Sequence, residues 1–297
     1  MSRSAHEPWR VMPAPPDLSR WLTLSVRPTA LVSSRETLHH AVQLLALAGA
    51  SYLEPRADDS HTSMSWLESV GALATEPLAA APSFRFALRA RELSLVVVEV
   101  DSADVSAVFS LQHRTRDEAL EWMRREAGRR GLAGNRLLSR LHFAIAPHAT
   151  DEGGPFERAA DGTLEELDSW YGNASLILEA TRRRMNGAGP VRCWPHHFDI
   201  ATLVRLAAAG AMQTIGIGLS PGDESYAEPY YYVSPYPTPP VSPRPLLTGV
   251  WHNDGWWGGA LAGSEIVKLR TADAQADLVS GFIDGAVERL LETELTA

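Results

Sequence analysis

The sequence predicts an α+β fold in which antiparallel sheet packs against flanking helices. Apolar residues recur at spacings of three and four over 35–53, a pattern typical of a helix. Short runs rich in Val, Leu and Phe follow, separated by polar turns, as expected for neighbouring antiparallel strands. The order of helix, strands and helix returns later in the chain, which indicates two similar helix–strands–helix halves. We assign residues 1–150 to an N-terminal half and 151–297 to a C-terminal half, with one compact domain as the alternative.

The first half contains two predicted helices with strands between them. Pro55 ends the helix over 35–53, because proline cannot continue a helical hydrogen-bond pattern. Thr115 and Glu118 form a capping-box pattern that starts the second helix, and Gly131 suits its end. The predicted strands are 84–88, 93–100 and 105–111.

The second half repeats this order. The polar, Gly-rich stretch 147–162 is predicted to join the halves, and Thr163 with Glu166 forms another capping-box pattern. Pro235–Pro245 is predicted to be an extended surface arm rather than a strand, because proline lacks the backbone N–H that a strand needs. The predicted strands are 191–194, 198–206, 213–218, 230–234, 249–251 and 256–261, before a final helix over 272–292.

Composition and charge exclude several classes of protein. A chain of 297 residues with 45% apolar and 21% charged residues is typical of a globular protein with a core. The net charge of −9 disfavours phosphate backbones and anionic lipids, so we expect neither nucleic acid nor membrane as a partner. We predict a cytoplasmic protein, since neither a secretory signal nor a membrane-spanning apolar segment is present. The single cysteine, Cys193, forms no intramolecular disulfide and is predicted to be buried.

The segment W-P-H-H-F-D, 194–199, is the densest candidate for chemistry. On an extended strand, His197 and Asp199 share one face. Such a pair can bind a divalent metal or act as a base oriented by its carboxylate, and a structural hydrogen bond is the alternative. With His61 from the D-D-S-H-T loop, His197 and Asp199 form a tentative metal site. Paired-Cys and H-E-x-x-H metal motifs are absent, so the metal remains a possibility without a recognised motif. Walker A and GxGxxG motifs are also absent, so no nucleotide-binding site is predicted.

Aromatic residues surround the other polar candidates. Pro221-Gly222 reads as a turn that exposes Asp223 and Glu224, and Glu228 stands beside Pro229 and three tyrosines. Asn253-Asp254-Gly255 is a hairpin-turn signal next to His252. A helical spacing of four places His39 and Gln43 on one face. We predict that aromatic side chains line a ligand pocket: Tyr230, Tyr232, Trp251 and Trp256.

Several segments together resemble a bacterial family of uncharacterised proteins, a domain of unknown function without an assigned activity. They are V-R-C-W-P-H-H-F-D-I-A-T-L, S-P-G-D-E-S-Y-A-E-P-Y-Y-Y-V-S-P-Y-P and L-H-H-A-V-Q-L-L-A-L-A-G with D-D-S-H-T. A more distant uncharacterised family is similar at 37–39, Gln43, 198–199, 228–229 and 251–252, although it does not match the pair His196–His197. The resemblance raises four residues above the other candidates: His39, Asp199, Glu228 and His252.

Three alternatives for the function follow from these patterns. The first is a small-molecule-binding or hydrolytic, acid–base pocket, with or without a divalent metal. Its catalytic candidates are Asp199, Glu228, His252 and His39. The second is a non-catalytic module whose polar cluster is a buried hydrogen-bond network and whose proline–tyrosine arm mediates self-association, for example as a homodimer. A purely structural role with scattered histidines is the third alternative.

Overall fold

The computed structural model describes residues 17–206, 212–239 and 243–296. Contacts between Cα atoms divide the chain into two compact units. The first unit comprises Thr29–Gly172 and Arg192–Asp199, and the second comprises Met1–Pro28, Asn173–Val191 and Ile200–Ala297. The predicted junction 147–162 lies inside the first unit, so the units differ from the two consecutive halves that the sequence predicted.

The first unit joins helices to an antiparallel sheet. Its elements are α1 (Val32–Tyr52), β1 (Ser65–Leu67), β2 (Ala72–Ala74), β3 (Phe84–Arg89), β4 (Ser94–Glu99), β5 (Val105–Ser110), α2 (Arg116–Arg129), the start of α3 (Thr163–Arg184) and β6 (Arg192–Trp194). Five of its described strands form a sheet in the order β1-β2-β3-β4-β5, and each neighbouring pair is antiparallel.

Local sequence signals explain the helix starts of this unit. Thr115 caps α2, and its hydroxyl accepts from the backbone N–H of Glu118, whose carboxylate accepts in return from the N–H of Thr115. The predicted capping box at Thr163 is not formed by this threonine, because Thr163 is already the first residue of α3. Its hydroxyl instead contacts Ser34 Oγ at 2.7 Å and the carbonyl of Ala160.

The second unit also combines antiparallel sheet with helices. It contains the end of α3, β7 (Asp199–Arg205, of which Asp199 belongs to the first unit), β8 (Thr214–Ser220), β9 (Tyr230–Tyr236), β10 (Val250–His252), β11 (Gly258–Ala262), α4 (Gly263–Val267) and α5 (Ala272–Thr296). Its described strands follow the order β10-β11-β9-β8-β7, all antiparallel, and α5 packs against β9 and β11.

The N-terminal segment belongs to the second unit because its backbone is bound there. Asn173 accepts from the N–H of Leu22 and donates to the carbonyl of Leu22. The side chain of Gln275 accepts from the N–H of Leu24 at 2.8 Å and donates to the carbonyl of Leu24 at 2.7 Å. The ring of Trp21 stacks on Tyr231. Leu24 is buried, so the contacts with Gln275 pair backbone groups that would otherwise lack partners.

The predicted α+β class, with antiparallel sheet and flanking helices, is confirmed. The prediction of a proline-rich surface arm over 235–245 is partly wrong, because Pro235 and Tyr236 are the last residues of β9. Residues 240–242 of this segment lie outside the described residues. Cys193 is buried, as predicted. None of the helices in the described ranges combines the length and the apolar character that a membrane crossing requires.

Candidate functional site

The predicted site residues belong to two different units. The first unit holds His39, His61, His197 and Asp199. The second unit holds Glu228, Tyr230, Tyr232, Trp251, His252 and Trp256.

In the first unit, α1 binds the W-P-H-H-F-D segment through one carbonyl oxygen. His39 Nε2 lies 2.9 Å from the carbonyl oxygen of Pro195, and Gln43 Nε2 donates to the same oxygen at 2.7 Å. Because a carbonyl only accepts, Nε2 of His39 carries a hydrogen. The prediction that His39 and Gln43 share a helix face is confirmed by this common partner.

The segment itself is a turn rather than a strand. Pro195–Phe198 form a turn between β6 and β7, and Phe198 has a φ of +57°. The expectation that alternate residues share a face is therefore wrong for 195–198. His39 stacks on the Phe198 ring at 5.4 Å, and Tyr171 donates to the Phe198 carbonyl. These contacts offset the strain of a left-handed, non-glycine residue.

Burial makes His39 a poor base at neutral pH. Loss of solvation lowers the pKa of His39 to about 4. The hydrogen bond to Pro195 acts in the opposite direction but is the smaller effect. A general base works best when its pKa lies near the working pH. The geometry therefore supports a positioning role for His39, which holds the turn.

The three tentative metal ligands make other contacts. His61 is buried, and its Nδ1 accepts from the backbone N–H of Arg56 at 3.2 Å. His197 is exposed in the turn, with its ring 4.5 Å from that of His196. Asp199 is close enough to Cys193 that its charge adds to burial in raising the pKa of the thiol. Across the described residues, no group of three or more His, Cys, Asp or Glu is arranged to hold a metal ion.

In the second unit, Glu228 contacts the start of a helix. Its Oε2 accepts from the backbone N–H of Ser264 at 2.6 Å, and its Oε1 accepts from the Ser264 hydroxyl at 3.1 Å. Ser264 is the second residue of α4, where backbone N–H groups lack partners within the helix. The carboxylate of Glu228 is therefore engaged as a helix cap.

Five aromatic side chains of the second unit form one cluster, which we call the aromatic cluster: Tyr226, Tyr230, Tyr232, His252 and Trp256. His252 stacks on Trp256 with ring centroids 4.5 Å apart, and Tyr230 stacks on Trp256 at 5.9 Å. Tyr226 contacts both Tyr230 and His252, at 4.7 and 5.3 Å. Tyr232 meets Tyr230 and Trp256 at 6.3 and 6.4 Å. These distances lie in the range of favourable ring contacts.

Tyr226, Tyr230 and His252 have hydrogen-bonded polar groups, whereas Trp256 Nε1 is buried without a hydrogen-bond acceptor among the described residues. His252 Nε2 lies 2.6 Å from the carbonyl oxygen of Asp254, so Nε2 carries a hydrogen and Nδ1 of the neutral ring accepts from the Tyr226 hydroxyl at 3.1 Å. Tyr230 donates to Asp223 Oδ2 at 2.6 Å. Asp223 Oδ1 accepts from the backbone N–H of Tyr226. Burial, followed by the charge of Asp223, raises the pKa of Tyr226.

The cluster lies on the sheet because small residues leave room for its rings. On β9, Tyr230 and Tyr232 point away from the face that carries the buried residues Tyr231 and Val233. Gly218 of β8 is opposite Tyr232, and a Cβ at Gly218 would stand 2.6 Å from the Tyr232 hydroxyl oxygen. The ring of Tyr232 therefore occupies the space that a side chain at position 218 would take.

Of the four predicted pocket aromatics, the cluster contains Tyr230, Tyr232 and Trp256. Trp251 lies outside it and stacks on Trp257 at 5.1 Å, with its Nε1 donating to the carbonyl of Arg244. The predicted hairpin turn at 253–255 is confirmed, since β10 and β11 pair with His252 opposite Gly258. That pairing brings His252 to the cluster.

Sequence reasoning missed Tyr226 and the structural use of Gly218. Tyr226 stands four residues before Tyr230 in the segment already singled out, so the aromatic spacing was an available signal. The alternation of Gly216 and Gly218 in β8 was the signal for rings lying on a strand. The second signal can be used only when the pairing of β8 with β9 is known.

No family model matches the chain, and neither a curated protein nor a solved structure shows significant similarity to it.

Proposed function

We propose that the protein binds a small molecule with a flat, partly polar ring at the aromatic cluster. The observation that carries this proposal is the group of five aromatic rings in contact with one another, of which only Tyr230 is buried. Tyr226, Tyr232, His252 and Trp256 remain half-buried. Half-exposed aromatic faces with a few fixed polar groups are typical of ligand sites, because stacking and loss of apolar surface from water both favour binding.

Binding is better supported than hydrolytic chemistry. His252 is held between Tyr226 and the Asp254 carbonyl, and Asp223 between Tyr230 and backbone N–H groups. Such internal bonds fix the rings in position and reduce the entropy lost when a ligand binds. The acid–base alternative rests on the Tyr226–His252 pair, in which the imidazole can take the phenolic hydrogen. Location in the cytoplasm and the resemblance to the bacterial family stay predictions.

The proposal is tested by ligand screening against a matched pair of tryptophan variants. The probes are flat heteroaromatic compounds (indole, quinoline and nicotinamide), with methyl glucoside as a non-aromatic comparison. A ligand at tenfold its Kd stabilises the folded state by about 1.4 kcal/mol, which raises the melting temperature by a few degrees. Trp256→Leu removes a ring of the cluster, and Trp251→Leu removes a ring outside it.

We expect at least one heteroaromatic probe to raise the melting temperature of the wild-type protein and of Trp251→Leu, with the shift lost in Trp256→Leu. The proposal is contradicted if no heteroaromatic probe stabilises the wild type. It is also contradicted if Trp256→Leu, still folded by circular dichroism, keeps the full shift.

Self-association is the second candidate, supported by apolar side chains exposed on the second unit. Leu247 is 96% exposed, and Val250, at the start of β10, is 58% exposed. β10 ends the described sheet, and edge strands offer unpaired backbone groups to another chain. Light scattering after gel filtration tests this: a dimer that Leu247→Ser dissociates supports the proposal, with Leu138→Ser in the first unit as the control. A monomeric wild type contradicts it.

A further inference from the structure

A cleft of about 340 Å³ lies in the first unit, and none of the predicted site residues lines it. Ligand pockets usually enclose about 300–1,000 Å³, so its size suits a small metabolite. The cleft is bounded by the turn between β1 and β2, by the turn between β3 and β4, and by the first half of α3. Its lining residues are Val70, Gly71, Arg89, Arg91, Glu92 and Asp168.

Asp168 is the buried charged group of this cleft. Its side chain is 8% exposed. Oδ2 accepts from Arg91 Nε at 3.3 Å and from Arg91 Nη2 at 3.1 Å, and the backbone N–H of Arg91 also faces the carboxylate, whereas Oδ1 is buried and makes no well-formed hydrogen bond among the described residues. Burial raises the pKa of Asp168, against the opposing effect of Arg91. A buried carboxylate oxygen without a donor is costly, and a ligand's cationic donor would remove that cost.

Arg91 supplies the complementary charge. Its side chain is 52% exposed, and only its Nε and Nη2 are used in the ion pair with Asp168. The guanidinium has five N–H donors, so it can contact a second anionic group while it stays bound to Asp168. Its exposure also allows the side chain to shift and admit a ligand to Oδ1. Glu92 is engaged with Arg89 and Ser94 at 3.3 and 3.4 Å.

We propose that this cleft binds a small zwitterion of the amino-acid type. The ligand's ammonium group donates to Asp168 Oδ1, and its carboxylate accepts from the guanidinium of Arg91. The two protein groups are already adjacent, as the α-ammonium and α-carboxylate of an amino acid are. This site is independent of the aromatic cluster, because every lining residue belongs to the first unit.

The test is titration calorimetry on the full chain. The twenty free L-amino acids are first ranked by thermal shift, and the best is titrated beside its decarboxylated amine and its N-acetyl derivative. Asp168→Asn keeps the side-chain shape but removes the charge, and Arg91→Gln removes the guanidinium from a half-exposed position. The control, Asp101→Asn, changes an exposed residue of the turn between β4 and β5.

We expect the free amino acid to bind the wild type and Asp101→Asn equally, and each cleft variant at least about tenfold more weakly. The amine and the N-acetyl derivative should each bind about tenfold more weakly to the wild type. The proposal is overturned if no amino acid binds, if either derivative binds as tightly as the amino acid, or if folded Asp168→Asn and Arg91→Gln both retain wild-type affinity. Circular dichroism checks folding, and Arg91→Gln carries the test alone if Asp168→Asn is unfolded.

Discussion

The Tyr226 hydroxyl lies 3.1 Å from Nδ1 of His252, and the Asp254 carbonyl fixes which nitrogen of that ring carries the hydrogen. This pair connects the loop before β9 to the end of β10. Tyr226→Phe removes the hydroxyl and leaves Nδ1 without its donor. We expect the free energy of unfolding to fall by about 1 kcal/mol, the usual loss for one hydrogen bond. Urea unfolding measures the change.

The control for this prediction is Tyr236→Phe, because Tyr236 is 68% exposed and belongs to the same unit. An exposed hydroxyl bonds to water in the folded and in the unfolded chain, so its removal should leave the free energy of unfolding equal to that of the wild type. Equal stability of Tyr226→Phe and Tyr236→Phe would show that the Tyr226–His252 contact does not stabilise the folded state.

Gly218→Ala should disrupt the floor of the aromatic cluster. The new Cβ would stand 2.6 Å from the Tyr232 hydroxyl oxygen and 2.8 Å from the Cβ of Ala201, so the ring must move. We expect a loss of roughly 1–3 kcal/mol, typical of overpacking. Gly216→Ala is the matched control on the same strand, where the nearest atom, the Ser234 carbonyl oxygen, is 3.6 Å away. Thermal unfolding of both variants measures the difference. Equal melting temperatures would contradict the close packing of Tyr232 on Gly218.

Glu228→Gln tests whether this glutamate caps α4. The substitution removes the negative charge that faces the backbone N–H of Ser264, so we expect a loss of about 0.5–2 kcal/mol in stability. Glu224→Gln, at the exposed tip of the same loop, should change stability by less than about 0.5 kcal/mol. A Glu228→Gln variant as stable as Glu224→Gln would refute the capping role.

The low pKa of His39 predicts an acid-sensitive first unit. Its pKa is about 4 when folded and near 6.5 when unfolded, so the unfolded chain binds a proton at higher pH. Stability is therefore fully present above pH 6.5 and falls as the pH drops toward 4. His39→Gln should reduce the part of this loss that lies between pH 6.5 and 4, measured as urea midpoints at several pH values. An NMR titration that puts the pKa of His39 above 6 would contradict the account.

Local patterns in the sequence predicted most of the fold. The periodicity of α1, the capping box of α2 and the short strands β3 to β5 depend on residues close in the chain. β1 and β2 are only three residues long, too short for a clear alternation, and were missed. The α3 capping box failed because Thr163 is already the first residue of the helix, and its hydroxyl is bonded to Ser34 and to the carbonyl of Ala160.

The candidate site was less predictable, because it depends on strand pairing and on tertiary contacts. The hairpin-turn signal at Asn253-Asp254-Gly255 was correct, because β10 and β11 form a hairpin that brings His252 to the cluster. By contrast, the turn at 195–198 is stabilised by hydrogen bonds from His39 and Tyr171 to its carbonyl groups. Both partners are distant in the sequence, so the residues of the segment itself do not predict the turn. The surroundings of Asp168 on α3 likewise come from the β1–β2 and β3–β4 turns, which are distant in the sequence.

The most direct test of ligand binding at the aromatic cluster is an NMR titration that follows the indole N–H signals. The chain has nine tryptophans, and the signals of Trp256 and Trp251 are assigned by their loss in Trp256→Phe and Trp251→Phe. On titration with the best heteroaromatic probe, the account predicts a saturable shift of the Trp256 signal, with the Trp251 signal unchanged. A saturable shift at other tryptophans with the Trp256 signal unchanged would contradict it.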